Sequence, residues 1–156
     1  MSLNIKKGRD TERVDIVLHV DAAQESIVWG GNYYADCLPI TPDWLCWHKK
    51  NDGLSYSEFE LAWSNAGQRA RIISHHWSGE EKLHITQKPL AVIEWCAGFL
   101  SDGFVIHDPF LGSGTTLIAC ECLGRRCRAV EIEPKYVAVT LERWAEMTGE
   151  TPELME

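Results

Sequence analysis

Two acids and two glycines in the C-terminal half carry the clearest chemical signal. The stretch VIHDPFLGSGTT, residues 105–116, runs from apolar residues into Asp108 and Pro109, then Gly112 and Gly114 one residue apart, then Thr115 and Thr116. Glu131 follows 23 residues after Asp108, at the end of a second apolar run, CRAVEI. Glycine allows backbone to approach a ligand closely and to take positive φ. A helix that begins at such a turn offers unpaired N–H groups and the positive end of its dipole. The pattern therefore predicts a ligand pocket with one carboxylate on each side of a bare turn.

Three ligand classes can be compared with these residues. A nucleoside triphosphate loop needs Lys after its last Gly, and Thr115 stands there instead. A dinucleotide fingerprint needs a third glycine three residues after the second, and Leu117 stands there. Asp108 would also oppose a pyrophosphate. A cationic ligand without phosphate fits better, and S-adenosylmethionine has a sulfonium, an ammonium and a carboxylate. Its carboxylate would meet the helix start, and Glu131 would accept from the ribose hydroxyls, as an acid about 20 residues on does in dinucleotide sites. The alternative is a structural glycine turn capped by Ser113. Asp108 before the turn and Glu131 after it weigh against that.

The elements that would position these residues follow from periodicity. Residues 104–108 and 127–132 read as strands, and 113–123 and 134–149 as helices, with Gly124 ending the first and Pro134 opening the second. Val137, Leu141, Trp144 and Ala145 are the expected packed face of the last helix. Upstream, 89–103 reads as a helix from Pro89 to Gly103, with Leu90, Ile93, Ala97 and Leu100 on one face. Helices between strands imply a wound, mostly parallel sheet with helices on both faces, and ligands at the carboxyl ends of its strands. The first half reads as strands at 14–20, 26–29, 44–49, 58–64 and 70–74, then a polar loop over 75–89. The expectation is a single Rossmann-like α/β domain over 1–156, with 84–147 as the cofactor-binding half and a break near 75–88 as the alternative.

Composition narrows the function. The 156 residues are enough for a core. No apolar run approaches a membrane span, and MSLNIKKGRD lacks a signal-peptide core, so a cytoplasmic protein is expected. The net charge of −8 weighs against a general nucleic-acid binder, which needs Lys and Arg for phosphate contact. Local basic faces remain open at His48-Lys49-Lys50, Arg69 with Arg71, and Arg125-Arg126 with Arg128. The six cysteines form no CxxC pair and read as reduced thiols, and His75-His76 lacks companion ligands, so no metal is expected. The tryptophans read as sheet packing, while Tyr33 and Tyr34, in a loop after glycines, could contact a base.

The string DPFLGSGTT resembles the cofactor motif of DNA amino-methyltransferases of bacterial and phage type, which act on adenine N6 or cytosine N4. HITQKP (84–89) resembles the segment that completes their cofactor pocket. GRRCRAVEIEPKYVAV resembles their strand–acid–helix segment, and IVWGGNYYADCLP, WLCWHKKN, ELAWS and SHHWSG are similar to phage-type members. The order, with this pocket toward the C-terminus, is that of the permuted group. The resemblance implies S-adenosylmethionine as cofactor and DNA as partner. It implies a pocket of Asp108, Pro109, Phe110, Gly112, Ser113, Gly114 and Thr115, closed by Thr86, Gln87, Lys88 and Pro89, with Glu131 on the ribose. Lys88 could instead be a helix-start lysine reaching solvent.

The family's chemistry also uses a tetrapeptide of Asp, Asn or Ser, then Pro-Pro, then an aromatic. It hydrogen-bonds the exocyclic amine of a flipped base and stacks on the ring. The amine lone pair is delocalised, so orienting it is much of the catalysis. None of the six prolines here are adjacent, and after the run VDIVL the chain continues HVDAAQE. Residues 1–75 therefore read as a shortened catalytic half with no assignable catalytic residue. The expectation is a methyltransferase of restriction–modification or phage type. A cofactor-binding remnant without activity is the alternative. The resemblance also makes a homodimer possible, since dimers are common in the family, and an incomplete sheet edge would encourage pairing.

Overall fold

The computed structural model describes residues 19–77 and 87–155. Strand residues 14–18 and most of the polar loop, with His84, Ile85 and Thr86, lie outside the described residues. The chain divides into two compact units, the first ending at His76 and the second beginning at Trp77. The division falls at the composition change where the sequence left a break open.

In the first unit, residues 19–22 form a helical turn. The expected strand therefore does not include His19 and Val20. The alanines that follow Asp21 favour helix, and the turn puts Val20 into a core with Leu38 and Trp63, flanked by Val28, Tyr34 and Trp44. Strands β1 (Ile27–Trp29), β2 (Leu45–His48), β3 (Phe59–Ser64) and β4 (Arg71–Ser74) form one sheet in the order β1-β3-β2-β4. β3 is antiparallel to β1 and β2, with Val28 opposite Trp63 and Leu45 opposite Ala62, while β4 runs parallel to β2. The four strands match the sequence reading to within two residues.

Tryptophan packing holds this unit. Trp47 and Trp63 are buried, and each indole N–H finds a carbonyl: Trp47 donates to His75 at 2.8 Å and Trp63 to Pro39 at 2.7 Å. After β1 the chain makes a 3-10 turn over Gly31–Tyr34. Gly31 is required there, because a Cβ would lie 2.5 Å from Trp63 Cβ and 2.8 Å from its backbone nitrogen. The buried Asp43 carboxylate accepts from the N–H groups of Gly67 (2.8 Å) and Arg69 (2.9 Å), which holds Arg69 at φ +61°. Trp63→Phe shrinks a buried ring and leaves the Pro39 carbonyl without its donor. A loss of about 2 kcal/mol is expected, measured by urea unfolding.

The second unit alternates helix and strand: α1 (Leu90–Ala97), β5 (Ile106–Asp108), α2 (Thr115–Cys122), β6 (Cys127–Ala129) and α3 (Pro134–Thr148). β5 and β6 pair in parallel, with Ile106 opposite Cys127 and Asp108 opposite Ala129. The described strands lie in two hydrogen-bonded sheets, one in each unit. α1 packs on α2, and α2 contacts β6 and α3.

Three readings shift here. α1 ends at Ala97, not near Gly103, where Arg125 takes the Ala97 carbonyl and two carbonyls beyond the helix: one Nη donates to Ala97 (2.7 Å) and Leu100 (3.1 Å), the other to Ser101 (2.7 Å). Its buried residues are Val92, Cys96 and Ala97, whereas Leu90, Ile93 and Leu100 are only half-buried. The expected apolar face of α3 is partly exposed at Val137 and Leu141, and Thr140 is the buried residue instead. Phe104 and Val105 precede β5 and are exposed.

Candidate functional site

The parallel pairing brings Asp108 and Glu131 to the same end of two neighbouring strands. β5 ends at Asp108, and the ladder runs on past it: Val130 N–H donates to the Asp108 carbonyl (2.9 Å), and Leu111 N–H to the Val130 carbonyl (3.1 Å). The glycine turn is thereby stitched to the chain that carries Glu131. Glu131 then grips it directly, accepting from Gly112 N–H at 2.7 Å through Oε2 and from Glu133 N–H at 2.8 Å through Oε1. Asp108 Oδ1 accepts from Phe110 N–H at 2.9 Å, which turns the chain around Pro109. A carboxylate oxygen can accept more than one hydrogen bond. Both acids are therefore oriented by backbone amides and retain acceptor capacity for a ligand.

The turn is braced from behind. Ser113 is buried and donates to Gln87 Oε1 at 2.9 Å. Thr140 of α3 donates to the Gly112 carbonyl at 3.3 Å, and Arg143 to the Ser113 carbonyl. Gly114 has φ +86° and starts α2, which has no side-chain cap. A Cβ on Gly114 would lie 2.5 Å from Thr140 Cγ2 and 2.7 Å from its Oγ1. The glycine at 114 thus serves helix-to-turn packing, and the one at 112 (φ +59°) sits between the acids.

The predicted residues sort by position. Asp108, Pro109, Phe110, Gly112 and Glu131 form the open side. Gln87, Pro89, Ser113 and Thr115 are buried supports, and Gly114 is packed with them. Lys88 is half-buried beside Cys96, whose thiol burial pushes up to about 12 against the opposing lysine charge. Thr86 lies outside the described residues. Phe110 is 62% exposed and Ile132 is 95% exposed. Ile132 was not singled out from the sequence. Its signal was an apolar side chain set between Glu131 and Glu133, just past the hydrogen-bonded strand.

In the first unit, Tyr33 is exposed while Tyr34 packs on the core. Lys49 pairs with Glu60 at 2.9 Å and lies over the Trp47 ring. His48 bonds Asp52 at 2.8 Å, and this hydrogen bond holds the Asp52 carboxyl below its usual range. Among the described residues, no group of His, Cys, Asp and Glu is arranged to hold a metal, and no helix is long and apolar enough to cross a membrane.

Comparison with known proteins agrees with the geometry. The type II methyltransferase M2.LlaDCHI of Lactococcus lactis subsp. cremoris is 31% identical over 111 residues, covering 64% of this chain and 40% of that protein. M2.DpnII of Streptococcus pneumoniae is 30% identical over 111 residues, with the same coverage of 64% and 40%. The chain thus spans about two fifths of the length of these relatives. The solved structure of M1.HpyAVI with S-adenosylmethionine superposes with a TM-score of 0.73 at 24% identity, over 90% of this chain and 85% of that one. That likeness establishes the α/β methyltransferase fold. Residues 19–142 match the profile of the N6/N4 DNA methylases, and the chain belongs to that family.

Proposed function

We propose that the chain binds S-adenosylmethionine between Asp108 and Glu131 and serves methyl transfer to the exocyclic amine of adenine (N6) or cytosine (N4) in DNA. The observation that carries this reading is the pair of amide-oriented carboxylates across the Gly112 turn. The residues suit such a ligand. Glu131 has lone pairs left for two vicinal hydroxyls. Phe110 and Ile132 present apolar surface beside the acids, which suits a purine ring. Asp108 supplies negative charge for an ammonium or sulfonium, and the uncapped start of α2 suits a carboxylate. When bound, the cofactor supplies an electrophilic methyl group. The chain's own part is to fix that group's orientation through the braced turn.

The family match runs through both units, which supports treating them as one methyltransferase domain. DNA as partner, a cytoplasmic setting and pairing of two copies through an open strand edge belong to the same proposal. The absent Pro-Pro tetrapeptide favours a second reading, a cofactor-binding protein that does not itself methylate. Two measurements separate them. Calorimetry with S-adenosylmethionine is expected to show one site per chain, and no heat would overturn the cofactor assignment. Transfer of a tritiated methyl group to unmethylated DNA is expected for the first reading. Binding without transfer selects the second.

A further inference from the structure

Strands β2 and β4 run parallel and end in register, with His48 opposite Ser74. Their side chains therefore emerge together on one face, at the carboxyl ends where open α/β sheets gather ligands. Ser74 Oγ lies 3.4 Å from His48 Nδ1, and His48 Nε2 lies 2.8 Å from Asp52 Oδ1. An ionised carboxylate can only accept, so in the neutral ring Nε2 carries the proton and Nδ1 presents its lone pair to the Ser74 hydroxyl. Nucleophile, base and orienting acid thus form one chain of contacts. Contacts to a general base are often long until substrate arrives. The loop that brings Asp52 back to His48 is tied across its neck. Lys49 N–H donates to the Glu58 carbonyl (2.8 Å), Gly53 N–H to Glu58 Oε1 (3.2 Å) and Asn51 Nδ2 to the Ser57 carbonyl (3.3 Å). The imidazole side chain is 27% exposed, whereas Ser74 is open to solvent. Phe59, opposite His48 on β3, and Ile72, two residues before Ser74, share this face and are exposed.

We propose that Ser74, His48 and Asp52 form a nucleophilic site that cleaves small esters with apolar acyl or aryl groups, an activity separate from methyl transfer. Ser74 Oγ attacks the ester carbonyl carbon, and His48 Nδ1 takes the hydroxyl proton. The bond from the carbonyl carbon to the leaving oxygen breaks, and His48 returns the proton to that oxygen. Water then attacks the acyl-serine by the same route and restores the Ser74 hydroxyl. The balance is one ester and one water converted to one acid and one alcohol. Asp52 touches no reacting atom. It is a positioning residue that holds the ring in the tautomer that accepts from Ser74. Phe59 and Ile72 supply the contact surface for the apolar group.

The test treats the full chain with p-nitrophenyl acetate and, separately, with an alkyl fluorophosphonate, on which the Oγ–P bond forms as the P–F bond breaks and fluoride leaves. Peptide mapping is expected to place one phosphonate on Ser74. Release of p-nitrophenolate is expected to fall in Ser74→Ala and in the labelled chain alike. His48→Gln is expected to slow labelling about 100-fold, the size of a general-base contribution, with an unchanged melting temperature. Asp52→Ala is expected to slow labelling several-fold at an unchanged melting temperature, and Asp52→Glu to recover part of that loss. The proposal is overturned if the phosphonate lands elsewhere or nowhere, if Ser74→Ala cleaves the ester as fast as wild type, or if folded His48→Gln is labelled at the wild-type rate.

Discussion

Replacing Gly114 with alanine is expected to lower the melting temperature by about 10 °C. Two costs add at this one position. A left-handed conformation costs an alanine about 1–2 kcal/mol that glycine does not pay, and Gly114 stands at φ +86°. The new Cβ would also lie 2.5 Å from Thr140 Cγ2 and 3.0 Å from Thr140 Cβ. Overpacking of this kind costs roughly 1–3 kcal/mol more. A sum of about 3–4 kcal/mol corresponds to a shift of roughly 10 °C for a chain of this size. Thr140→Ala removes Cγ2 and Oγ1 but neither the Cβ nor the backbone strain. The double variant should therefore recover part of the loss and no more, as differential scanning calorimetry can show. Full recovery would mean that the φ angle carries no cost, and no loss at all would mean that the turn does not pack on α3.

Glu131→Ala is expected to weaken S-adenosylmethionine binding by 100-fold or more. The carboxylate accepts from Gly112 and Glu133 within the chain, and in the proposed site it also meets the ribose. Hydrogen bonds to a charged acceptor contribute about 1.5–3 kcal/mol each, and a factor of 100 is about 2.7 kcal/mol. Glu131→Gln keeps one oxygen acceptor and should lie between wild type and alanine. Asp108→Ala provides the matching loss on the other acid. Isothermal titration reads all three. Unchanged affinity in Glu131→Ala, with the fold intact by circular dichroism, would remove the ribose role and leave Glu131 as a turn brace only.

The candidate site was legible in the sequence because its chemistry is local. An acid at a strand end, a Gly-x-Gly turn and an adjoining helix define each other within twelve residues, and the second acid needs only one parallel crossover to arrive beside them. Four strands of the first unit were legible for the same reason, since alternation and turn residues mark them directly. What was hidden depends on distant partners. The end of α1 is set by Arg125, 28 residues beyond Ala97, which no local stop signal announces. The packed face of α3 centres on Thr140, a polar residue, because Gly114 leaves room for it and the Gly112 carbonyl needs a donor. Periodicity favoured Val137 and Leu141, which stand partly in solvent. The second brace of the turn, Arg143 on Ser113, likewise has no signature in a helix that already carries many charges.

The guanidinium of Arg125 gathers carbonyls of Ala97, Leu100 and Ser101, and its own backbone N–H is tied to Cys120. Two stretches far apart in the chain are thereby clasped by one side chain at 124–126. They must open as a single breathing unit, so amide protons near 98–101 and near 123–126 should trade with deuterium at a common rate.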